Sequence, residues 1–474
     1  MEDTVSIFRN LEKEEREREE EEILCKRVMI CSRKRIRRVF STLLRPIKRK
    51  RGQDPFERPP SANTFSRFER KDFFDFEVLY ESKISNARVG IMRTPHGIVD
   101  TPGFVPVATN GTLKAVSHRQ SDRSGTQLMF CNTYHLLLRP GVDVIDLAGG
   151  LHQWMNRIDR PIITDSGGFQ IFSLAHGSVT DEVKAGGSLK ANRRHSKYQR
   201  EEEEGSRTSN KNINDTVLRI SEEGVLFKSY LDGQRIELTP EISVRAQKSL
   251  GADLIVPLDE LPPYHVSKDR LRESVFMTHR WEARSLREHL RNPQKQAMMG
   301  IIHGGVDREL REISAEYITS LPFDTLGIGG SIGGSREEML DLLKFLMPLL
   351  NCNNKIHRRP VHLLGIADEE SIRSCVPLGL DTFDSCYPTR AARHGLVFTR
   401  KGKIKIKRRV FESDLSSLDE ECRCETCQNH SKAYLNHLYR AREPSAAMYL
   451  TIHNIQYMND MMKSIRQNIL DGAL

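Results

Sequence analysis

Short apolar runs recur along this chain, and each stops at a polar or small residue: "RPIITDSGG", "ADLIVPLDE", "AMMGIIHGG", "FDTLGIGGS", "PVHLLGIAD" and "LDTFDSC". A continuous apolar run of this length reads as a strand covered on both faces. Helix-like segments lie between the runs. "TPEISVRAQKSLG" opens with a Thr cap, Pro and Glu and stops at Gly, and "SREEMLDLLKFLMPLL" carries apolar residues at helical spacing. The alternation predicts parallel βα units. Polar groups at so many strand ends predict an α/β fold closed into a (β/α)8 TIM barrel, whose site is built at the C-terminal ends of its strands.

"PIITDSGGFQIF", Pro161 to Phe172, shows the pattern most clearly. The acid Asp165 ends an apolar run, where a barrel strand would deliver it to the active face. Gly167 and Gly168 then remove side chains, so a ligand or a neighbouring backbone can approach. A helix-capping Asp in an ordinary strand-to-helix turn would give the same local sequence.

The 474 residues are 38% hydrophobic and 29% charged, enough for a sizeable core in one large domain or two ordinary ones. No apolar run approaches the roughly 20 residues of a membrane helix, so no membrane partner is expected. The N-terminus, "MEDTVSIFRNLEKEEREREEEE", is too acidic for a secretory signal. The nine cysteines show no even disulfide spacing, which points to a reducing, cytoplasmic setting. The net charge is +9, and residues 1–75 hold 20 basic and 15 acidic side chains, so five of the nine excess charges lie there. That surplus is compatible with a nucleic-acid partner without proving one. The acidic run Glu12 to Glu22 and the basic run Lys26 to Arg51 mark residues 1–75 as a charged, disordered extension or a nucleic-acid-binding arm. Residues 177–214 lack hydrophobic periodicity and read as a disordered surface insertion.

"CRCETC" places Cys422, Cys424 and Cys427 in a C-x-C-x-x-C cluster. Three thiolates this close can take three corners of a tetrahedron, and a fourth nitrogen or sulfur closes it. His430, His437 and His453 are all candidates for that corner. "GIGGSIGG" does not make a phosphate loop, because Ile332 occupies the last Gly position of G-x-G-x-x-G and no Lys-Ser/Thr follows.

From about Phe76 onward the chain resembles the tRNA-guanine transglycosylase family. The resemblance rests on ordered segments that include "TPHGIVDTPGFVPVATNGTLKAV", "RPIITDSGGFQIFSLA", "GIIHGG", "GLDTFDSCYPTRAARHG" and "CRCETCQNHSKAYLNHL". It implies a barrel over residues 76–474 with a zinc subdomain at 415–460. The family's downstream "T-x-H-N" segment is "TIHN" here, so the resemblance assigns His453 as the fourth ligand of one structural Zn2+ per chain. It implies Asp384 as nucleophile and Asp165 as general acid/base in a double displacement at ribose C1′, the logic of a retaining glycosidase. Asp259 would read the guanine edge, with His303, Ser166 and Gly330 around it. Phe169 and Leu364 would sandwich the base. Arg390 and Arg393 would contact the anticodon loop of a tRNA with a G-U-N anticodon, and the enzyme would be a homodimer.

The chain departs from the family pattern at His303, where Gln is usual in bacterial relatives, and at Leu261, where Cys is common. In the loop Gly329–Ser335, Gly333 replaces Val, and Ser335 lacks the carboxylate that helps set a peptide orientation. Loss of the valine side chain is expected to open space for queuine in preference to the smaller preQ1. The alternatives are a preQ1-specific enzyme and a non-catalytic tRNA-binding subunit. The presence of both Asp165 and Asp384 argues for the enzyme.

Overall fold

The computed structural model describes residues 54–176, 217–353 and 358–474. The charge blocks and the 177–214 segment lie outside them.

Eight parallel strands form the barrel. They are β1 (Gly103–Pro106), β2 (Met129–Cys131), β3 (Ile162–Thr164), β4 (Leu254–Ile255), β5 (Ala297–Ile302), β6 (Thr325–Ile328), β7 (Val361–Leu363) and β8 (Thr382–Ser385). Neighbours follow chain order from β2 to β8, and β8 returns to β1 with Asp384 opposite Val105. A parallel bridge between Val107 and Phe130 joins β1 to β2 and closes the ring. This is the (β/α)8 barrel that the apolar runs predict. Every residue of β5 is buried, as a strand inside two layers requires.

Two apolar layers hold the ring. Val105, Phe130, Ile163, Leu254, Met299 and Ile301 fill its interior. Three antiparallel strands, Asp75–Glu81, Arg88–Thr94 and Gly97–Thr101, precede β1, and their Phe76, Met92 and Val99 join the same cluster. Outside the ring, helices pack on the strands. Thr239 caps the helix Pro240–Leu250 by accepting the Ile242 N–H, and Gly251 ends it in the left-handed region, as the sequence reads.

The expected boundary at residue 75 falls too late. Phe74 is buried, Tyr317 donates its hydroxyl to the Pro60 carbonyl at 2.9 Å, and Arg287 lies 4.9 Å over the Phe65 ring. Aromatic residues scattered among the charges of 54–75 supply the apolar area that docks this segment on the barrel.

Beyond β8 the chain makes the helix Tyr387–Arg393, a hairpin of Leu396–Thr399 and Gly402–Lys405, the cysteine cluster and the 27-residue helix Pro444–Leu470. A separate apolar cluster of Ala392, Val397, Ile406, Leu418, Leu435 and Leu450 holds this region together. No helix among the described residues is long and apolar enough to cross a membrane.

Candidate active site

Six consecutive strand ends deliver the candidate residues. Asp165 follows β3, Asp259 lies beyond β4, His303 follows β5, Gly330 lies beyond β6, Leu364 follows β7 and Asp384 sits within β8. All six therefore face the C-terminal mouth of the barrel.

The two catalytic candidates have contrasting surroundings. The Asp165 carboxylate is buried and accepts four hydrogen bonds. Thr133 N–H (2.7 Å) and Gly167 N–H (3.1 Å) donate to Oδ1, and Asn132 Nδ2 (2.6 Å) and Gln170 Nε2 (2.7 Å) donate to Oδ2. Burial pushes its carboxyl above the ordinary range against the pull of these donors. A carboxyl placed so can hold and release a proton. Asp384 is buried too, but only one of its oxygens is held. Gly365 N–H donates to Oδ1 at 2.7 Å, and His362 Nε2 lies 3.0 Å from the same atom. A carboxylate oxygen accepts, so in this contact His362 Nε2 is the donor. The other ring nitrogen meets Thr382 Oγ1 at 2.8 Å, which fixes the imidazole plane. Oδ2 of Asp384 makes no hydrogen bond among the described residues.

Contacts lead around the mouth from one acid to the other. Ser166 Oγ donates to Asp259 Oδ1 at 3.3 Å, and Asp259 Oδ2 lies 3.2 Å from His303 Nε2. A Cβ on Gly330 would meet His303 Nδ1 at 3.2 Å, and one on Gly329 would meet Leu364 Cδ1 at 3.3 Å. Gly365, next to Leu364, holds Asp384. The Gly330 N–H donates to nothing among the described residues, so it remains available to a ligand carbonyl. A Cβ on Gly168 would stand 3.0 Å from the Asp259 carbonyl, so this glycine serves a close backbone approach. Phe169 is 54% exposed in the first turn of the helix Gly168–His176, a position for a stacking platform rather than a core residue. Leu364 and Leu261 are half-buried against the inner and outer apolar layers. Arg390 is exposed on Tyr387–Arg393, while Arg393 is half-buried with its Nε unpartnered.

The sequence model for queuine tRNA-ribosyltransferase matches residues 83–198 and 208–474. A curated relative from Protochlamydia amoebophila (strain UWE25), called queuine tRNA-ribosyltransferase, is 49% identical over 402 residues, 85% of this chain and 97% of its own length. One of the same name from Chlamydia caviae is 50% identical over 400 residues, 84% of this chain and 99% of its own. The chain belongs to the queuine tRNA-ribosyltransferase family.

Against that family's expected pattern, the structure corrects one steric argument. Gly333 has φ +132°, and a Cβ there would lie 3.0 Å from Met339 N and 3.2 Å from Glu338 Oε2. The missing valine side chain therefore leaves no opening toward the pocket, because Glu338 already occupies that direction. Glu338 also supplies the carboxylate that Ser335 lacks. Its Oε2 accepts the Gly334 N–H and the Tyr264 hydroxyl, both at 2.7 Å, and ties the Gly329–Ser335 loop to the segment after β4. A cavity of about 320 Å3 lies between these segments, lined by Glu260, Tyr264, His303, Asp307, Gly330 and Ser331 among others.

Beneath the pocket lie two buried ionisable groups that sequence reading missed. Arg311 has no carboxylate partner among the described residues. It donates to the carbonyls of Gly305 (2.8 Å), Ile302 (2.6 Å) and Ser331 (3.3 Å), and burial lowers it to about 9, so it stays charged at neutral pH. Burial, and then the Asp259 charge, push the Glu282 carboxyl well above its ordinary value. Neither residue ends an apolar run or belongs to a motif. Their only sequence signal is a charge on the inner face of a helix.

The metal-ligand group is assembled as the TIHN segment implies. Cys422, Cys424, Cys427 and His453 present ligand atoms that all lie within 4.8 Å of one another. His430 instead packs against Tyr434 and Tyr449, and His437 lies outside the group. His453 donates from Nε2 to the Phe398 carbonyl at 2.6 Å, which leaves the Nδ1 lone pair toward the thiols, 3.2 Å from Cys427 Sγ. The donor set fits a metal ion that prefers sulfur and imidazole ligands.

Proposed function

We propose that this chain replaces guanine at the wobble position of G-U-N anticodons with a 7-deazaguanine, through a covalent bond between Asp384 and ribose C1′. The observation that carries this reading is the contrast between the two acids. Asp384 keeps one oxygen anchored by Gly365 and His362 and the other free, as an in-line nucleophile needs. Asp165, raised by burial and wrapped by four donors, gives its proton to N9 of the departing guanine and takes one back from the incoming base. Asp384 leaves C1′ as the new N–C bond forms, so configuration is retained. The oxocarbenium-like transition state develops positive charge between two carboxyl groups.

Asp259 accepts the N1–H and N2–H pair of the base, which discriminates against adenine. The Gly330 N–H donates to the base carbonyl, and Phe169 and Leu364 cover the ring faces. Arg390 and Arg393 hold the anticodon loop. Queuine is the preferred base, and the support for this is the cavity beside His303 and Gly330, on the side of the pocket bounded by the Tyr264–Glu338 contact. Cys422, Cys424, Cys427 and His453 would hold one Zn2+ with no open position, a structural role. The enzyme works as a homodimer.

The test is incorporation of labelled guanine, preQ1 and queuine into unmodified G-U-N tRNA, with Asp384→Ala as control. Exchange by the wild type, its loss in the control and a preference for queuine are expected. tRNA binding without exchange of any base would overturn the catalytic reading, and more efficient preQ1 incorporation would overturn the base preference.

A further inference from the structure

The helix Arg308–Ser320, which follows β5, sends two polar side chains inward. Leu310, Arg311, Ser314, Ala315 and Ile318 are buried along it. Arg311 and Ser314 stand three residues apart, so they share one face, and both are fully buried. The inner face of such a helix ordinarily carries apolar groups, and a buried guanidinium without a carboxylate partner is costly. Packing alone therefore does not account for Arg311.

What the two side chains grip does account for it. Arg311 Nη1 donates to the Ile302 carbonyl at 2.6 Å, and the His303 N–H donates to Ser314 Oγ at 3.0 Å. That carbonyl and that N–H are the two ends of one planar peptide group. Holding both ends sets the direction in which His303 leaves β5, toward Asp259 Oδ2 at 3.2 Å. The rest of the guanidinium reaches further: Nε donates to the Gly305 carbonyl at 2.8 Å and Nη2 to the Ser331 carbonyl at 3.3 Å. Ser331 follows Gly330, so one fork holds the segment that carries His303 and the loop that carries Gly330. The segments lie close, since a Cβ on Gly304 would stand 2.7 Å from Arg311 N. Behind Ser314, His279 Nε2 lies 2.8 Å from Oγ. Burial pushes the His279 imidazole down to about 3, so the neutral ring can accept the Ser314 hydroxyl proton while Oγ accepts from His303.

We propose that Arg311 and Ser314 are positioning residues of the base pocket, which hold the Ile302–His303 peptide and the Gly329–Ser335 loop in the geometry that the incoming base needs. The proposal rests on the base-exchange reading for its ligand. Neither residue touches the base. Each acts through His303, and Arg311 acts through Gly330 as well. Without Ser314 the buried His303 N–H loses its acceptor, and the peptide must shift to find another.

The experiment uses the full chain with Ser314→Ala, Arg311→Lys, His303→Ala and the combination of Ser314→Ala with His303→Ala. Tyr317→Phe is the control, because Tyr317 lies on the same helix but its hydroxyl donates to the Pro60 carbonyl, away from both pocket segments. Exchange is measured against base concentration at saturating tRNA, and against tRNA at saturating base. Ser314→Ala is expected to raise the KM for the base about fivefold or more, with the KM for tRNA and kcat within about twofold. Arg311→Lys keeps the charge but not the fork, and should raise the base KM further. In the His303→Ala background, Ser314→Ala should change the base KM by less than about twofold, because its effect passes through His303. A folded Ser314→Ala protein with the wild-type base KM overturns the proposal, and this variant carries the test if Arg311→Lys does not fold. An equal rise with and without the His303 side chain, or an equal rise in Tyr317→Phe, also overturns it, since either marks a general loosening of the fold. Failure of the wild type to exchange any base would count against the base-exchange reading instead.

Discussion

In the proposed mechanism, Asp384 is positioned by neighbours distant in sequence. Its free oxygen has value only because His362 and Gly365 hold the other. Replacing His362 with Phe keeps the ring volume and removes the donor. We predict that kcat falls on the order of 10- to 100-fold while the KM for tRNA stays within about twofold, because only the attack geometry loosens. His362→Gln, whose amide can still donate, should recover part of the loss. Steady-state kinetics of both variants check this, and a Phe variant with wild-type kcat would remove His362 from any positioning role. The acids themselves were legible, since each ends an apolar run. Their partners were not. His362 stands within the apolar run "PVHLLGIAD", but nothing in that run indicates that it faces an acid on the next strand. Gln170 donates to Asp165 from the helix that follows it, while Asn132 donates from the end of β2, which only its pairing with β3 brings close.

At the scale of elements, the polar ties at the strand starts matter as much as the apolar layers. Asp253, just before β4, accepts the Ile162 N–H at 2.8 Å and the His96 Nδ1 at 2.8 Å, and lies 3.0 Å from His152 Nε2. It thereby joins the start of β3, the turn between Arg88–Thr94 and Gly97–Thr101, and the helix Leu151–Trp154. The two imidazoles stack with centroids 3.5 Å apart. Burial alone would raise the Asp253 carboxyl, but His152 and His96 more than reverse this and leave it at about 2. A depressed carboxyl stabilises the fold fully above its unfolded value of about 3.9, and that stability is lost as pH falls toward 2. The contribution is on the order of 2–3 kcal/mol. Denaturant midpoints should therefore drop steeply between pH 4 and 2 for the wild type. Asp253→Asn should be less stable at neutral pH and flatter across that window, and equal slopes for both proteins would contradict the assignment. Strand and helix identity were readable here from apolar runs, caps and stops. The docking of 54–75 was not, because a few aromatic side chains outweighed a charged composition. The role of Gly333 was misread because the space it leaves is filled by Glu338, five residues on.

At the scale of the whole molecule, the metal-ligand group is tied by hydrogen bonds to the helix that follows Asp384. In "TIHN", His453 points at the three cysteines, and the adjacent Asn454 accepts the Phe398 N–H at 3.0 Å and donates to the carbonyls of Pro388 and Leu396 at 3.1 and 3.0 Å. Pro388 lies in the helix that follows Asp384. Removing the metal from the full chain with a chelator should therefore lower exchange activity severalfold or more and expose the segment 396–440 to protease, although no ligand touches substrate. Full activity in protein shown to be metal-free would contradict the coupling. The cysteine spacing announced the group and TIHN supplied its histidine. The link to Pro388 depends on the tertiary path of a 27-residue helix, which no local pattern encodes.

The most direct test of the central claim is to trap the RNA–protein adduct. The wild-type chain would be incubated with unmodified G-U-N tRNA, denatured rapidly, digested and examined by mass spectrometry. The account predicts a ribonucleotide bound to the peptide that contains Asp384, and no adduct with Asp384→Ala. An adduct on another residue, or base exchange that persists in Asp384→Ala, would contradict it.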